Sequence, residues 1–189
     1  IEDDNPVIFM EQNVKQANVH PLTRQLTICA LLAALGTVLG ILSIPLPAVS
    51  AAGYSLKIGI TVLPVILAAV LYGPAYGGIV GMVVDLLPAL LFPKGPWIPW
   101  FTLIGALFGV IPGLFFQRGQ AVTWKRLLLS IAAGQIFCSV LCNTLLLMAL
   151  YGLPYQIVYV RLLNQAIMIP VYTAAVFGTV KLLKKGGFI

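Results

Sequence analysis

The sequence predicts an all-α integral membrane protein of six transmembrane helices with both termini in the cytoplasm. Three observations predict it. Of the 189 residues 60% are apolar and only 8% are charged, the apolar residues fall into runs bounded by proline, glycine or charge, and the basic residues flank those runs asymmetrically. A soluble domain carries about 25% charged residues, so water is not the solvent for most of this chain.

A bilayer core of about 30 Å needs roughly 20 apolar residues at about 1.5 Å rise each. On that measure spans are predicted near Leu26–Ile44, Ile58–Tyr72, Ala75–Phe92, Trp100–Phe116, Leu127–Tyr151 and Tyr155–Leu183. The second is short and the last two are long, so the helices are expected to differ in tilt. Pro64, Pro88, Pro112 and Pro170 fall inside spans and are expected to kink them, with neighbouring helices or water satisfying the freed carbonyls.

With the N-terminus inside, Lys15, Arg24, Arg118, Lys125, Arg126, Lys181, Lys184 and Lys185 are cytoplasmic, whereas Lys57, Lys94 and Arg161 are external. That asymmetry satisfies the positive-inside rule, and the opposite orientation inverts it. An even number of spans then returns the C-terminus to the cytoplasm. The predicted organisation is a cytoplasmic segment over residues 1–23 and one six-helix membrane domain over 24–189. Met10 is a candidate initiator, with residues 1–9 a candidate leftover extension. The acidic start also lacks the basic and apolar regions of a cleavable signal peptide.

Several function classes are disfavoured. The net charge of +6 comes from bases beside spans, where they meet the cytoplasmic leaflet, so nucleic acid is not an expected partner but membrane lipid is. Cys29, Cys138 and Cys142 lie in apolar stretches and read as small core residues, not as disulfides or metal ligands. No metal site or cofactor is expected. The single histidine, His20, lies outside the spans, and no phosphate-binding loop motif is present, so neither an intramembrane hydrolase nor an ATPase can be assembled. A catalytic role is therefore not expected. One intramembrane acid and no duplicated halves also argue against a self-sufficient inverted-repeat transporter.

Four of the five acidic residues precede position 12, which leaves Asp85 as the single carboxylate side chain of the membrane domain. It lies seven residues before Phe92, about 10 Å along a helix from the external end. Arg161 enters the last span at a similar depth. Charges at membrane depth face protein or a water-filled cavity. Two readings follow: an ion pair that locks two helices, or a polar cavity that Asp85 and Arg161 line. Asn164 and Gln165 favour the second, because spacings of three and four residues set them beside Arg161 along one helix side.

The external loops, Pro45 to Lys57 and Pro93 to Pro99, are the longer ones, and loops on a rigid scaffold often carry binding residues. In Phe92-Pro93-Lys94-Gly95-Pro96-Trp97-Ile98-Pro99-Trp100 three prolines stiffen the chain, and Trp97 offers a face for a flat heterocycle. Lys57 and Lys94 read either as solvated loop residues or as groups that attract an anion, and Tyr54, three residues before Lys57, completes the candidate binding set. On the first span Ala30, Ala33, Ala34, Thr37 and Gly40 form a small-residue stripe that permits close helix approach, either within the bundle or to a partner.

With these features the chain resembles the S component, the vitamin-capturing membrane subunit, of an energy-coupling factor transporter. The sixth-span run RLLNQAIMIPVYT and the loop FPKGPWIPW look most like the folate-specific members, over roughly residues 20 to 185. The resemblance implies a bacterial plasma-membrane protein that captures folate from outside. It also implies a transmembrane coupling subunit (EcfT-like) and two ATPase subunits (EcfA-like) that drive uptake, with Ala30, Ala33 and Ala34 as the docking stripe. In this reading Asp85 accepts the paired pterin donors, Arg161, Asn164 and Gln165 donate to its carbonyl and ring nitrogens, Trp97 stacks, and Lys57 or Lys94 meets the glutamate tail. The alternatives are an S component for thiamine, riboflavin or a pyrimidine precursor, and a ligand-free membrane scaffold.

Overall fold

The computed structural model of the protein describes residues 21–42, 60–92, 98–116, 122–152, 155 and 157–185, and every regular element among them is helical. In chain order these are α1 (Pro21–Leu42), α2 (Val62–Tyr72), α3 (Pro74–Leu91), α4 (Pro99–Leu114), α5 (Trp124–Gln135), a wide π-type segment (Ile136–Asn143), α6 (Thr144–Tyr151) and α7 (Ile157–Lys185). Helices suit such a sequence because in hydrocarbon every backbone N–H and C=O must be satisfied within its own segment. Buried hydroxyls follow the same rule: Thr37 Oγ1 donates to the Ala33 carbonyl at 2.8 Å, and Thr173 Oγ1 to the Ile169 carbonyl at 2.8 Å.

Four helical stretches among the described residues are long and apolar enough to cross a bilayer: Leu22–Leu42, Pro74–Leu91, Trp124–Leu150 and Arg161–Lys185. α2 and α4 are apolar but shorter, at 11 and 16 residues. The expected start of the second span, Ile58, lies outside the described residues. Boundaries differ from the sequence expectation for a clear reason. Pro74 and Pro99 open α3 and α4 rather than preceding them, since the first helical position needs no N–H and proline's fixed φ suits it. Pro64 stands in the first turn of α2, so it does not kink a span as expected there. Pro88, Pro112 and Pro170 do lie inside helices.

α3 and α4 form the most extensive helix pair, and glycine is the cause. A Cβ on Gly81 would collide with the Gly105 carbonyl, and one on Gly109 with the Gly77 carbonyl. Without side chains the two backbones touch, the close approach that small residues allow between membrane helices. Gly77, Gly81 and Asp85 follow at intervals of four, so Asp85 continues the same ridge and meets Gly105. One buried cluster (Cys29, Ala33, Val65, Ala68, Val80 and Val84) ties α1, α2 and α3 together. A second joins Ile66 and Val70 of α2, Leu127 and Ile131 of α5, and Tyr172, Val176 and Val180 of α7 around Phe116. Outward positions are apolar too: Leu31, Leu35, Leu90, Leu163 and Ile167 are exposed. In water such surface marks an interface or an aggregation hazard; acyl chains solvate it without cost.

Candidate functional site

A cavity of about 260 Å³ opens between α1, α2, α3, α4 and the wide segment. Gly40, Thr61, Val65, Asp85, Pro88, Phe101, Gly105, Phe108 and Asn143 contribute to its wall. The composition is that of a small-molecule site: mostly apolar and aromatic, with a few polar groups that fix orientation. Gly40 lies beside Thr61 and Pro88, where a Cβ would make ordinary contacts at 3.4 Å to Thr61 Cγ2 and 3.5 Å to Pro88 Cγ. Pro88, one turn beyond Asp85, also removes the N–H that would otherwise reach the Val84 carbonyl.

Asp85 is half-buried, and its Oδ2 accepts a hydrogen bond from Thr102 Oγ1 at 2.8 Å. The hydroxyl of α4 thus orients the carboxylate of α3 across the glycine contact. Thr61 and Asn143 add polar groups to the wall; Asn143 Oδ1 is buried and has no hydrogen-bond partner. A carboxyl group and an amide on one cavity wall of mostly apolar residues suit a flat heterocycle with polar edges.

Arg161 and Gln165 converge elsewhere. Arg161 Nη1 donates to the Ser139 carbonyl at 3.1 Å, and Gln165 Nε2 donates to Ser139 Oγ at 2.8 Å. α7 therefore grips the wide segment at one residue, four positions before Asn143. Gln165 is 8% exposed and its Oε1 has no partner. Asn164, the neighbour in sequence, is half-buried. The ion-pair reading of the two intramembrane charges thus gives way to two separate engagements, Asp85 with Thr102 and Arg161 with Ser139.

Tyr54, Lys57, Lys94 and Trp97 lie outside the described residues. The first-helix stripe divides. Ala33 and Thr37 are buried, Gly40 lines the cavity, and Ala30 and Ala34 are exposed. Sequence reasoning missed Asn143, Thr102, Ser139 and the phenyl rings of Phe101 and Phe108. Asn143 had a readable signal, an amide in the apolar run LCNTLLL; the hydroxyls and rings had none.

The family described as ECF transporter, substrate-specific component, matches residues 24–183 by its family model. The chain belongs to that family. It is thus a transporter component and not an enzyme. This ECF substrate-specific component is 34% identical over 131 residues to a protein from Clostridium novyi named folate transporter FolT, a stretch that covers 69% of this chain and 76% of that one. It also resembles the crystal structure of FolT bound with folic acid, with a TM-score of 0.68 and 27% identity over 81% of this chain and 90% of the other.

Proposed function

We propose that this substrate-specific component captures folate and delivers it to an energising module of one coupling subunit and two ATPase subunits. The observation that carries the reading is the Asp85 carboxylate, held by Thr102 on a cavity wall of mostly apolar residues that also includes Thr61 and Asn143. A pterin presents a 2-amino group and a ring N–H side by side, and a carboxylate accepts such a pair as a fork. The Thr102 hydroxyl donates to Oδ2 and orients the carboxylate on the cavity wall. Asn143 Oδ1 accepts from a further donor, and its amide N–H₂ donates to a ring nitrogen or carbonyl. Phe101 and Phe108 give the ring an apolar seat.

Similarity to a relative named for folate transport, and to a fold crystallised with folic acid, supports the same ligand here. The arrangement of six spans with both ends inside rests on the basic residues described above, and places the cavity's ligand at the external half of a plasma membrane. In this reading Lys57 or Lys94 meets the glutamate tail, Trp97 stacks on the ring, Tyr54 belongs to the same binding set, and Ala30 and Ala34 face the coupling subunit.

The test is direct: the chain is purified from cells supplied with folate, and the released small molecule is identified by ultraviolet absorption and mass spectrometry. A pterin chromophore with the mass of a folate is expected. Release of thiamine or riboflavin instead would overturn the assignment.

A further inference from the structure

We propose that Arg161 is a positioning residue, whose guanidinium holds the Ser139 carbonyl within the wide turn and so keeps Asn143 facing the Asp85 cavity; the inference rests on the folate reading above.

The wide segment spans Ile136–Asn143, between α5 and α6. A turn closed by hydrogen bonds five residues apart holds one more residue than an α-turn, and such turns are rare and recur at functional sites. One inserted residue rotates everything beyond it by about 100° around the helix axis. Whether Asn143 points at the cavity therefore depends on whether the wide turn persists.

Ser139 sits in the middle of that turn and receives three side-chain donors. Its carbonyl accepts from Arg161 Nη1 and from Thr144 Oγ1, both at 3.1 Å, and its Oγ accepts from Gln165 Nε2 at 2.8 Å. A guanidinium on a backbone carbonyl is a charge-assisted bond, stronger than the neutral one from Thr144. Among the described residues the cavity wall includes Asn143 but not Arg161. Asn143 thus stands on the cavity wall at the end of a turn that Arg161 bonds at its centre.

The experiment is a double-mutant cycle on the full chain in lipid nanodiscs, read by folate titration. Asn143→Ala and Arg161→Met are each expected to weaken binding about tenfold, while the double variant binds within about twofold of Asn143→Ala alone, since Arg161 acts through Asn143. Losses that multiply would overturn the proposal. A second arm needs no ligand: Asn143→Cys in a Cys142→Ala background is labelled with a water-soluble thiol reagent. Arg161→Met should slow that labelling about tenfold as the side chain turns away, and an unchanged rate would overturn the proposal whether or not folate binds.

Arg161→Lys covers a Met variant that does not fold. One carbonyl needs one donor, so affinity and labelling should both stay within about threefold of the parent. Lost affinity with unchanged labelling in the Lys variant would set the guanidinium on the ligand and overturn the positioning role. A parent chain that binds no folate would sink the folate reading alone, and the labelling arm would still decide the role of Arg161.

Discussion

Thr102 on α4 donates a 2.8 Å hydrogen bond to Oδ2 of Asp85 on α3, across the most extensive helix contact among the described residues. The bond orients a carboxylate on the wall of a cavity, and a carboxyl group at membrane depth is costly unless something uses it.

Removing the charge tests that use. Asp85→Asn keeps the shape and an acceptor for Thr102 but cannot accept a donor pair on two anionic oxygens. Hydrogen bonds to a charged group contribute about 1.5–3 kcal/mol each, so folate affinity is expected to fall tenfold or more. Thermal stability should change little. Affinity within twofold of the parent alongside a collapsed thermal transition would make Asp85 a structural residue.

The orienting hydroxyl makes a separate prediction. Thr102→Val preserves the branched shape and deletes the donor, and should weaken folate by about threefold to tenfold, the range of one lost hydrogen bond of about 0.5–1.5 kcal/mol. Thr102→Ser should restore most of the loss. Equal affinities of the parent, Val and Ser proteins in a titration series would show that Asp85 needs no orientation.

The glycine contact predicts a coupled effect on fold and site. Gly81→Ala places a methyl against the Gly105 carbonyl, and overpacking of this kind costs about 1–3 kcal/mol. Because Asp85 stands one turn further along the same ridge, α3 cannot move away from α4 without moving the carboxylate from Thr102. Thermal unfolding and folate titration of the variant should therefore decline together. A variant of lowered stability with parental affinity would separate the two.

Capture and transport should part at the first helix. Ala34 is exposed and Ala33 is buried in the α1–α3 cluster, so the same substitution has opposite meanings at adjacent positions. Ala34→Trp should leave folate affinity unchanged in the isolated chain yet abolish ATP-driven uptake in vesicles holding the whole complex. Ala33→Trp should overpack the bundle and reduce stability and binding alike. Normal uptake and co-purification with the coupling subunit in the Ala34 variant would remove this face from the docking surface.

The helical class and the approximate run of several apolar segments were legible in the sequence, because hydrocarbon imposes length and apolarity on a span, and Asp85 stood out there as a lone carboxylate. What Asp85 touches was not legible. Arg161 matched it in depth and opposed it in charge, yet each is engaged by a hydroxyl or carbonyl on a nearer helix. Depth along a span is readable from residue counts, whereas the facing of two helices depends on packing, here on Gly77, Gly81, Gly105 and Gly109. The wide turn was equally hidden: Ile136–Asn143 is as apolar as an α-helical stretch, and the side chains of α7 that bond to it lie more than twenty residues away. Asn143 was overlooked although Asn164 was singled out on the same argument, since it stood without polar neighbours in sequence.

Isothermal titration of the purified chain, without ATP or partner subunits, tests the central claim most directly. Folate should give saturable one-site heat, thiamine and riboflavin none, and Asp85→Asn should reduce the folate affinity by tenfold or more. No heat with folate, or a clear response to thiamine or riboflavin, would contradict it.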